Sequence, residues 1–433
     1  MAVFNVEGVT STSTDMTSAD QESGDDPARG TNGASSWQGW RRGTGGHRRI
    51  MAAMGAAGVA TFAQLYAVQA VLPGLASTFD ASAAQTALTV SFATGGLAGF
   101  VLLWSGAADR FGRVQVMMTA LAVSTLLGLF APLAPELWAL IALRAVQGAF
   151  LGGVPAVAMA YLAEEIHPAD LSRTAAGYIA GTTIGGMTGR LLSGVVADFG
   201  GWRWGIAADS ALGLVAFVVF AVAVPRARGF TPVRRGTGPG LLRRLAGALR
   251  DPGLVALYCQ GLFLMGAFVT VYNYLGFRML GEPFGVSQTV VAFLFVAYLA
   301  GTAGSAIAGG LTGRLGRHTI LLAGVAGMVV GMVGLAVTSL IAVVVGLLVM
   351  TFAFFAAHTT ASAWVGHRAT TGRAQASALY TLGYYLGSSL FGWLGGVVYG
   401  HLGWGGVVGY VVALCAAAAL SGVMVRFPVP AAR

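Results

Sequence analysis

Twelve apolar segments constrain the fold of this chain more than any other feature of its sequence. A helix needs about 20 apolar residues to cross the hydrocarbon core of a membrane. Segments of about that length, separated by short polar loops, lie at 50–71, 84–105, 114–132, 137–160, 173–197, 204–224, 253–275, 288–310, 318–337, 340–364, 375–399 and 405–425. This pattern predicts an all-α membrane protein with 12 transmembrane helices.

Composition supports the membrane and excludes several classes of function. Hydrophobic residues make up 56% of the chain and charged residues 9%, whereas a soluble chain carries roughly a quarter charged residues. The net charge of +9 does not indicate nucleic-acid binding, because the Arg residues lie in short loops between apolar segments. There is no intramembrane cluster of acids, His or metal ligands and no phosphate-binding G-x-x-x-x-G-K-(S/T) loop, so we expect no enzyme, metal, cofactor or ATP-driven pump.

The two halves of the chain repeat each other. Residues 106–113 read GAADRFGR and residues 310–317 read GLTGRLGR, 204 positions apart. A second match has an offset of 202: Tyr178, Gly181, Gly185, Gly194, Val195, Val196, Gly201 and Trp202 recur as Tyr380, Gly383, Gly387, Gly396, Val397, Val398, Gly403 and Trp404. Repeats that run in the same sense predict two pseudo-symmetric six-helix bundles, residues 48–224 and 253–433, related by an axis along the membrane normal.

Charge in the connecting segments predicts the orientation. Residues 1–47 are polar and acidic, which predicts a disordered tail. All 25 basic residues are Arg, and 21 of them lie in the termini and in alternate loops, against Arg203 and Arg278 in the opposite loops. By the positive-inside rule, both termini lie in the cytoplasm.

The segment 225–252 joins the two halves. It carries seven Arg and one acid, so it is a basic cytoplasmic linker. Its stretch GLLRRLAGALRDP predicts a short amphipathic helix on anionic lipid. A plain connection between the halves is the alternative, and the two interpretations are compatible.

From about Arg48 to its end the chain resembles a major facilitator superfamily transporter. Asp109, Arg110, Gly112 and Arg113 match the family's signature between spans 2 and 3, and span 4 carries LRAVQGAFLGG with Arg144 and Gln147. YLAEEIHP, GGMTGRLLSGV and MGAFVTVYNYLGFRM narrow the resemblance to YnfM-type bacterial inner-membrane permeases, near the sugar-efflux and drug-exporter branch. The resemblance implies a monomeric multi-pass transporter of the bacterial cytoplasmic (inner) membrane.

The resemblance also implies a gate on the cytoplasmic side where the halves meet. Its residues are Asp109, Arg110, Gly112, Arg113, Arg314 and Arg317. The second copy has Gly313 in place of the acid, so the halves are not equivalent. The alternative is that these Arg residues only fix membrane orientation.

Three ionisable residues lie inside predicted spans, where a charge is costly and marks a functional candidate. They are Arg144, Arg190 and Asp209, and they could share one layer of the first bundle. An internal ion pair that holds the bundle is one interpretation. A transport pathway, in which an Arg meets an anionic group and a carboxylate exchanges a proton, is the other.

The predicted substrate and proton pathway comprises Arg144, Arg190, Asp209, Gln64, Tyr66, Gln69, Gln147, Tyr272, Asn273, His358 and Tyr384. Asp209 and His358 are the leading proton carriers, although His358 could equally be a packing residue. Related exporters carry G-P-x-x-G-G in span 5, where this chain has Gly186 for the proline and Arg190 for the last glycine, and this weakens the case for export.

Aromatic residues of the second half predict a wide pocket for an amphipathic organic molecule. The leading interpretation is a secondary transporter that exports such a compound with proton coupling by alternating access. Arg144 and Arg190 favour an alternative, uptake or exchange of an organic anion. A membrane sensor or scaffold without transport is a further alternative.

Overall fold

The structure, a computed structural model, describes residues 37–230, 246–370 and 372–425. Its described part contains ten helical stretches long and apolar enough to cross a membrane, which confirms an all-α, multi-pass membrane protein. The stretches are α1 Gly45–Phe79, α2 Ala83–Phe111, α3 Arg113–Leu133, α4 Leu137–Glu165, α5 Pro168–Ala223, α6 Pro252–Leu280, α7 Gln288–Leu315, α8 Arg317–Ala336, α9 Leu340–Arg368 and α10 Arg373–Met424.

Ten stretches replace the twelve predicted segments because two pairs of segments are continuous. Helix α5 has 56 residues and α10 has 52. Each contains one residue with non-helical backbone angles, Gly201 (φ 77°) in α5 and Gly403 (φ 61°) in α10. Positive φ favours glycine, and these two glycines are repeat partners in the sequence.

The repeated basic loop also has the same backbone conformation in both copies. Gly112 (φ 97°) separates α2 from α3, and Gly316 (φ 80°) separates α7 from α8. The sequence repeat therefore places chain reversals at equivalent points of the N-terminal half (residues 45–224) and the C-terminal half (residues 252–425). We call the interface between these halves the seam.

Glycine permits close helix contacts in each half. A Cβ atom on Gly185 of α5 would lie 2.7 Å from the carbonyl oxygen of Val59 in α1. A Cβ atom on its repeat partner Gly387 in α10 would overlap the carbonyl oxygen of Leu262 in α6. Small residues allow such backbone approach within lipid, so the two helix pairs are built on the same contact.

Two helices that line the seam are interrupted inside the membrane-crossing stretch. Helix α1 is α-helical to Tyr66, becomes a 3₁₀-helix over Ala67–Val71, and then resumes. Helix α7 has a 3₁₀ segment over Leu294–Ala297. Such segments leave carbonyl oxygens without the regular helical partner, so other groups must satisfy them.

Regular structure is present within the end of the segment that the sequence predicts as a tail. Helix α1 starts at Gly45, within the expected tail of residues 1–47. Before it, the Trp40 N–H donates to Glu165 O (2.8 Å) and the His167 N–H donates to Trp40 O (3.2 Å). These backbone hydrogen bonds order the end of the predicted tail.

Two predictions lie largely outside the described residues. The structure gives no description of residues 1–36, the greater part of the predicted tail. Most of the predicted amphipathic helix falls within 231–245, which are likewise not described, and residues 246–249 form one helical turn.

Candidate functional site

Contacts between the halves concentrate on one side of the membrane-crossing stretches. We call the side where α1 begins and α10 ends the terminal face, and the other the far face. Near the far face, a Cβ on Gly396 would lie 2.6 Å from Ala84 Cα. The Thr289 hydroxyl there donates to Asp198 Oδ2 (2.6 Å). The halves thus meet near the far face.

The N-terminal half has a separate buried apolar cluster towards the terminal face. It includes Ile50, Val116, Val154 and Phe220, and it contains no residue of the C-terminal half. A larger cluster contains residues of both halves. Apolar burial therefore joins the halves away from the terminal face.

The ion pairs described for the predicted gate residues lie within one half. Arg113 pairs with Asp109 (2.6 Å) and with Glu164 (3.1 Å), all in the N-terminal half. The beginning of the linker lies beside this loop, since Arg113 Cζ is 5.6 Å from the centre of the Phe230 ring. Arg110 and Arg314 are exposed, and Arg317 is half-buried.

Arg144 hydrogen-bonds to backbone carbonyls at the interruption of helix α1 and does not pair with a carboxylate of the described residues. Its side chain is buried and donates to the carbonyl oxygens of Gln64 (2.8 Å) and Leu65 (2.5 Å), next to the point where the α-helix ends. It also donates to Gln147 Oε1 (2.5 Å), and Gln147 Nε2 donates to Gln64 Oε1 (3.2 Å). Because a helix C-terminus carries partial negative charge, this arginine stabilises the break from within its own half.

Arg190 lies at the seam, among aromatic rings of both halves. Its guanidinium carbon is 4.4 Å from the centre of the Tyr66 ring in α1. On the other side it is 4.7 Å from Tyr298 and 5.3 Å from Phe295, both in α7. Arginine over aromatic faces gains cation–π attraction, which is strongest when water is excluded, and Arg190 is 2% exposed.

A chain of side-chain hydrogen bonds continues from Arg190 across the seam. Arg190 Nε donates to Gln69 Oε1 (2.7 Å), and Gln69 Nε2 donates to Asn273 Oδ1 (2.6 Å). Arg190 Nη1 donates to the carbonyl oxygen of Gly186 on its own helix. One network thus joins α5, α1 and α6.

Several buried polar atoms around this network have no hydrogen-bond partner. They are Ser91 Oγ and Asn273 Nδ2, together with Tyr66 Oη and Ser388 Oγ, which lie close to each other. Asp209 Oδ1 is nearby in the N-terminal half. Buried polar groups are satisfied in the great majority of cases, so such a cluster calls for an explanation. These groups could receive a polar molecule at the seam.

The three predicted intramembrane charges do not form an ion pair. The ion pairs that the structure describes lie elsewhere. Asp209 lies within electrostatic reach of both Arg144 and Arg190, and its Oδ1 atom lies 2.8 Å from the position of a Cβ on Gly189. This proximity agrees with a shared layer. The described hydrogen bonds, however, run from Arg144 to backbone carbonyls and from Arg190 to the seam, so they do not support the ion-pair interpretation.

Aromatic side chains of the C-terminal half pack against one another, and we call them the aromatic wall. Phe268 and Phe354 stack at 3.9 Å, and His358 lies 4.6 Å from the Tyr384 ring. His358 Nδ1 is hydrogen-bonded to the Tyr380 hydroxyl (2.8 Å). The wall continues through Tyr272, whose hydroxyl pairs with Thr351 Oγ1 (2.8 Å).

The seam brings together Arg190, Gln69, Tyr66 and Asn273 of the predicted pathway. Gln64, Arg144 and Gln147 form the separate cluster inside the N-terminal half described above. Sequence reasoning did not select Ser388 and Phe295. The signal available for Ser388 was its place in span 11, one residue after the repeated Gly387, but the apolar context of Phe295 offered none.

Known proteins resemble this chain over almost its whole length. The family model of the Major Facilitator Superfamily matches residues 54–392 and 279–433. The chain is 38% identical to the inner membrane transport protein YnfM of Escherichia coli over 88% of this chain and 91% of that protein. It is 34% identical to the uncharacterized MFS-type transporter YybF of Bacillus subtilis over 89% of this chain and 96% of that one.

A solved structure supports the fold. A bacterial homologue of the human lysosomal transporter Spinster, in an inward-facing and unoccupied conformation, superimposes with a TM-score of 0.68 at 16% identity, covering 88% of this chain and 94% of that one. The family model and the full-length relatives together place the chain among transporters rather than enzymes. The chain therefore belongs to the Major Facilitator Superfamily and is a secondary transporter of that family.

Proposed function

We propose that this transporter moves a small amphipathic organic compound through the seam by alternating access, with proton coupling at Asp209. The unpartnered polar atoms beside Arg190, opposite an aromatic wall, carry this proposal. An amphipathic molecule would supply polar groups to the first and apolar surface to the second. The sequence resemblance to the drug-exporter branch favours export as the direction.

Twelve spans in two six-helix bundles follow if α5 and α10 each cross the membrane twice. Their lengths of 56 and 52 residues exceed twice the roughly 20 residues that one crossing needs, and each turns at a positive-φ glycine. An even number of crossings returns both termini to one side. The Arg distribution then makes the terminal face cytoplasmic.

With that orientation, the described conformation opens towards the cytoplasm. The halves meet near the far face, while Asp109 and Arg113 pair within their own half. In the opposite state we expect the two basic loops to approach each other and act as the gate. The protein functions in this scheme as a monomer in the bacterial inner membrane, with its basic linker on anionic lipid.

Asp209 is the better proton carrier of the two that the sequence suggested. It is 3% exposed and its Oδ1 atom has no partner. A buried carboxylate without a partner is costly when charged, so a change of access at the seam can load or release its proton. His358 already has a hydrogen bond to Tyr380, which favours its packing role.

An organic anion is the second candidate substrate, and Arg190 is the observation that favours it. The guanidinium lies at the seam without an ion pair in the described chain. A carboxylate or phosphate on the substrate could pair with it directly. Competition by anionic and neutral members of one compound series separates this candidate from the first.

A thermal-shift screen of dyes, antibiotics, sugars and organic acids selects a transported compound for the test. Its flux is then measured in oriented vesicles with the pH gradient imposed in either direction. We expect the gradient to drive flux in the natural protein and to have no effect on Asp209→Asn, which still binds the compound. The matched control is Asp198→Asn, an acid at the far face; it should retain coupling.

The same assay can contradict the proposal. Flux that ignores the gradient in the natural protein removes proton coupling. Loss of coupling in His358→Gln but not in Asp209→Asn moves the proton site to His358. Flux in the inward direction only would replace export by uptake.

A further inference from the structure

The hydrogen-bond network at the seam has a direction that arginine imposes. A guanidinium can only donate hydrogen bonds. Since Arg190 Nε donates to Gln69, the oxygen of the Gln69 amide must be the atom that faces it. The nitrogen of Gln69 then faces Asn273 and donates to its oxygen.

The orientation of the second amide follows from the first. With Oδ1 occupied by Gln69, the Asn273 nitrogen must point away from Gln69. Amide orientations are assigned from their networks, and here the donor-only end of the chain fixes both amides. Arg190, Gln69 and Asn273 are each no more than 2% exposed, so water does not relax this constraint.

The freed nitrogen lies beside Gly392 of α10. A Cβ on Gly392 would lie 2.9 Å from Val269 Cγ1, 3.3 Å from Asn273 Nδ2 and 4.0 Å from Ser91 Oγ, so a group entering here displaces the end of the Val269 side chain. Both atoms are buried and have no hydrogen-bond partner. The Tyr274 hydroxyl beside the amide could accept at most one of its two N–H groups, and it already donates to Gly392 O (2.7 Å).

We propose that Arg190 sets the polarity of the substrate site by holding Asn273 as a hydrogen-bond donor, so that the substrate presents an acceptor, such as a carbonyl oxygen or ring nitrogen, beside Gly392. This inference rests on the proposed organic substrate and names its polar requirement. Asn273 contacts the acceptor, and Arg190 is a positioning residue that acts through Gln69.

Quinoline and indole are probes that test whether the site donates a hydrogen bond to its ligand. Both are neutral bicyclic aromatic molecules of similar size; quinoline offers only an acceptor, and indole principally a donor. Isothermal titration calorimetry on the purified full-length protein gives the two dissociation constants. We expect quinoline to bind about fivefold more tightly than indole, the ratio that one net hydrogen bond gives.

Two variants change the network in defined ways. Asn273→Asp removes the donor while keeping an acceptor for Gln69, and Arg190→Leu releases both amides to rotate. We expect the quinoline-to-indole preference to fall to about one or to reverse in both. Gln260→Leu alters a buried amide of the same helix that hydrogen-bonds α10 away from the seam, and it should keep the preference.

Because both affinities are measured on the same preparation, their ratio does not depend on how much of a variant is folded. A natural protein that binds both probes equally, or an Asn273→Asp variant with an unchanged preference, overturns the polarity while leaving an aromatic site intact. A natural protein that binds neither probe contradicts the aromatic site itself, and with it the proposed function. An unchanged preference in Arg190→Leu alone overturns the positioning role of Arg190.

Discussion

The two halves share a frame but differ in what they present to the seam. Arg190 in α5 has Gly392 as its repeat partner, and Asp209 has Val411. The N-terminal half contributes a guanidinium, a carboxylate and Gln69, whereas the C-terminal half contributes Asn273 and an aromatic wall. Positions that hold helices together have stayed alike and positions at the seam have diverged, which gives a duplicated scaffold an asymmetric site.

The halves also differ at the terminal face, where equivalent helix ends carry charges of opposite sign. In the N-terminal half, Glu164 at the end of α4 pairs with Arg113. At the equivalent point, 204 positions later, Arg368 ends α9 and pairs with Asp251 (2.8 Å). Each half keeps one ion pair near the end of this helix, with the sign of the helix-end charge reversed.

The largest expected effect is the loss of flux in Arg190→Leu, which removes the polar contribution of the N-terminal half to the seam. Arg190→Leu removes a charged hydrogen bond to Gln69 and the contact with three rings. Hydrogen bonds to charged groups are worth about 1.5–3 kcal/mol, so flux in vesicles should fall about 10- to 100-fold.

Arg190→Lys is the matched variant for that experiment. Its ammonium keeps the charge but lacks the planar fork that reaches Gln69 and Gly186 together. It should therefore retain an intermediate flux. Normal flux in Arg190→Leu would exclude a role for this residue in transport.

The second prediction tests the shared frame. Gly185→Ala and Gly387→Ala each place a Cβ against backbone of the neighbouring helix. Overpacking costs about 1–3 kcal/mol, and both variants should lose a similar free energy of unfolding in detergent. Gly99→Ala, whose Cβ would meet nothing within 4 Å, is the control and should lose none. A large loss in one half only would show that the frame is not equivalent.

The third prediction concerns the aromatic wall of the C-terminal half and separates its role from that of the charged residues. Tyr384→Ala removes a ring that lies 4.6 Å from His358, and an aromatic contact is worth about 0.5–1.5 kcal/mol. We expect KM for the transported compound to rise about fivefold with its proton coupling unchanged. Tyr384→Phe keeps the ring and should behave as the natural protein. Loss of coupling in Tyr384→Ala would contradict the division of roles between the halves.

The smallest expected effect concerns Asp251, just before α6. Partial burial raises the pKa of Asp251, but hydrogen bonds from Arg368 and from the Gly253 N–H outweigh it and hold the pKa below its usual value. The pair therefore adds stability above the pKa of the unfolded chain, and this contribution disappears as pH falls through the folded pKa.

Asp251→Asn measures that contribution. An ion pair near the surface is worth about 1 kcal/mol or less, so the variant should unfold slightly more easily at pH 7. The difference from the natural protein should disappear in acid. A difference that stays constant down to low pH would assign the effect to the helix cap rather than to the charge.

The sequence predicted much of the fold because membrane solvation leaves few choices. Lipid requires each crossing segment to satisfy its own backbone, so apolar length predicts helices. The ends of the apolar segments predicted the loops at 106–113 and 310–317, where Gly112 and Gly316 have the positive φ that is open mainly to glycine. Because they are charged and lie within predicted spans, Arg144, Arg190 and Asp209 were identified from the sequence as functional candidates.

The sequence could not assign partners to those charges. Arg144 and Arg190 look alike in an apolar segment, yet one binds carbonyl oxygens of α1 and the other lies among rings of both halves. The network at the seam joins Gln69 to Asn273, and Ser389 donates to Ser91 O (2.8 Å), residues 204 and 298 positions apart.

By itself, then, the sequence determined a membrane-embedded, duplicated helical chain, because hydrophobic length, loop charge and glycine spacing act locally. Only the tertiary structure decided which buried charge supports a helix break, which faces the seam, and which amide nitrogen is left to donate. Those outcomes depend on how helices distant in the chain pack together, and a helical pattern alone does not specify that packing.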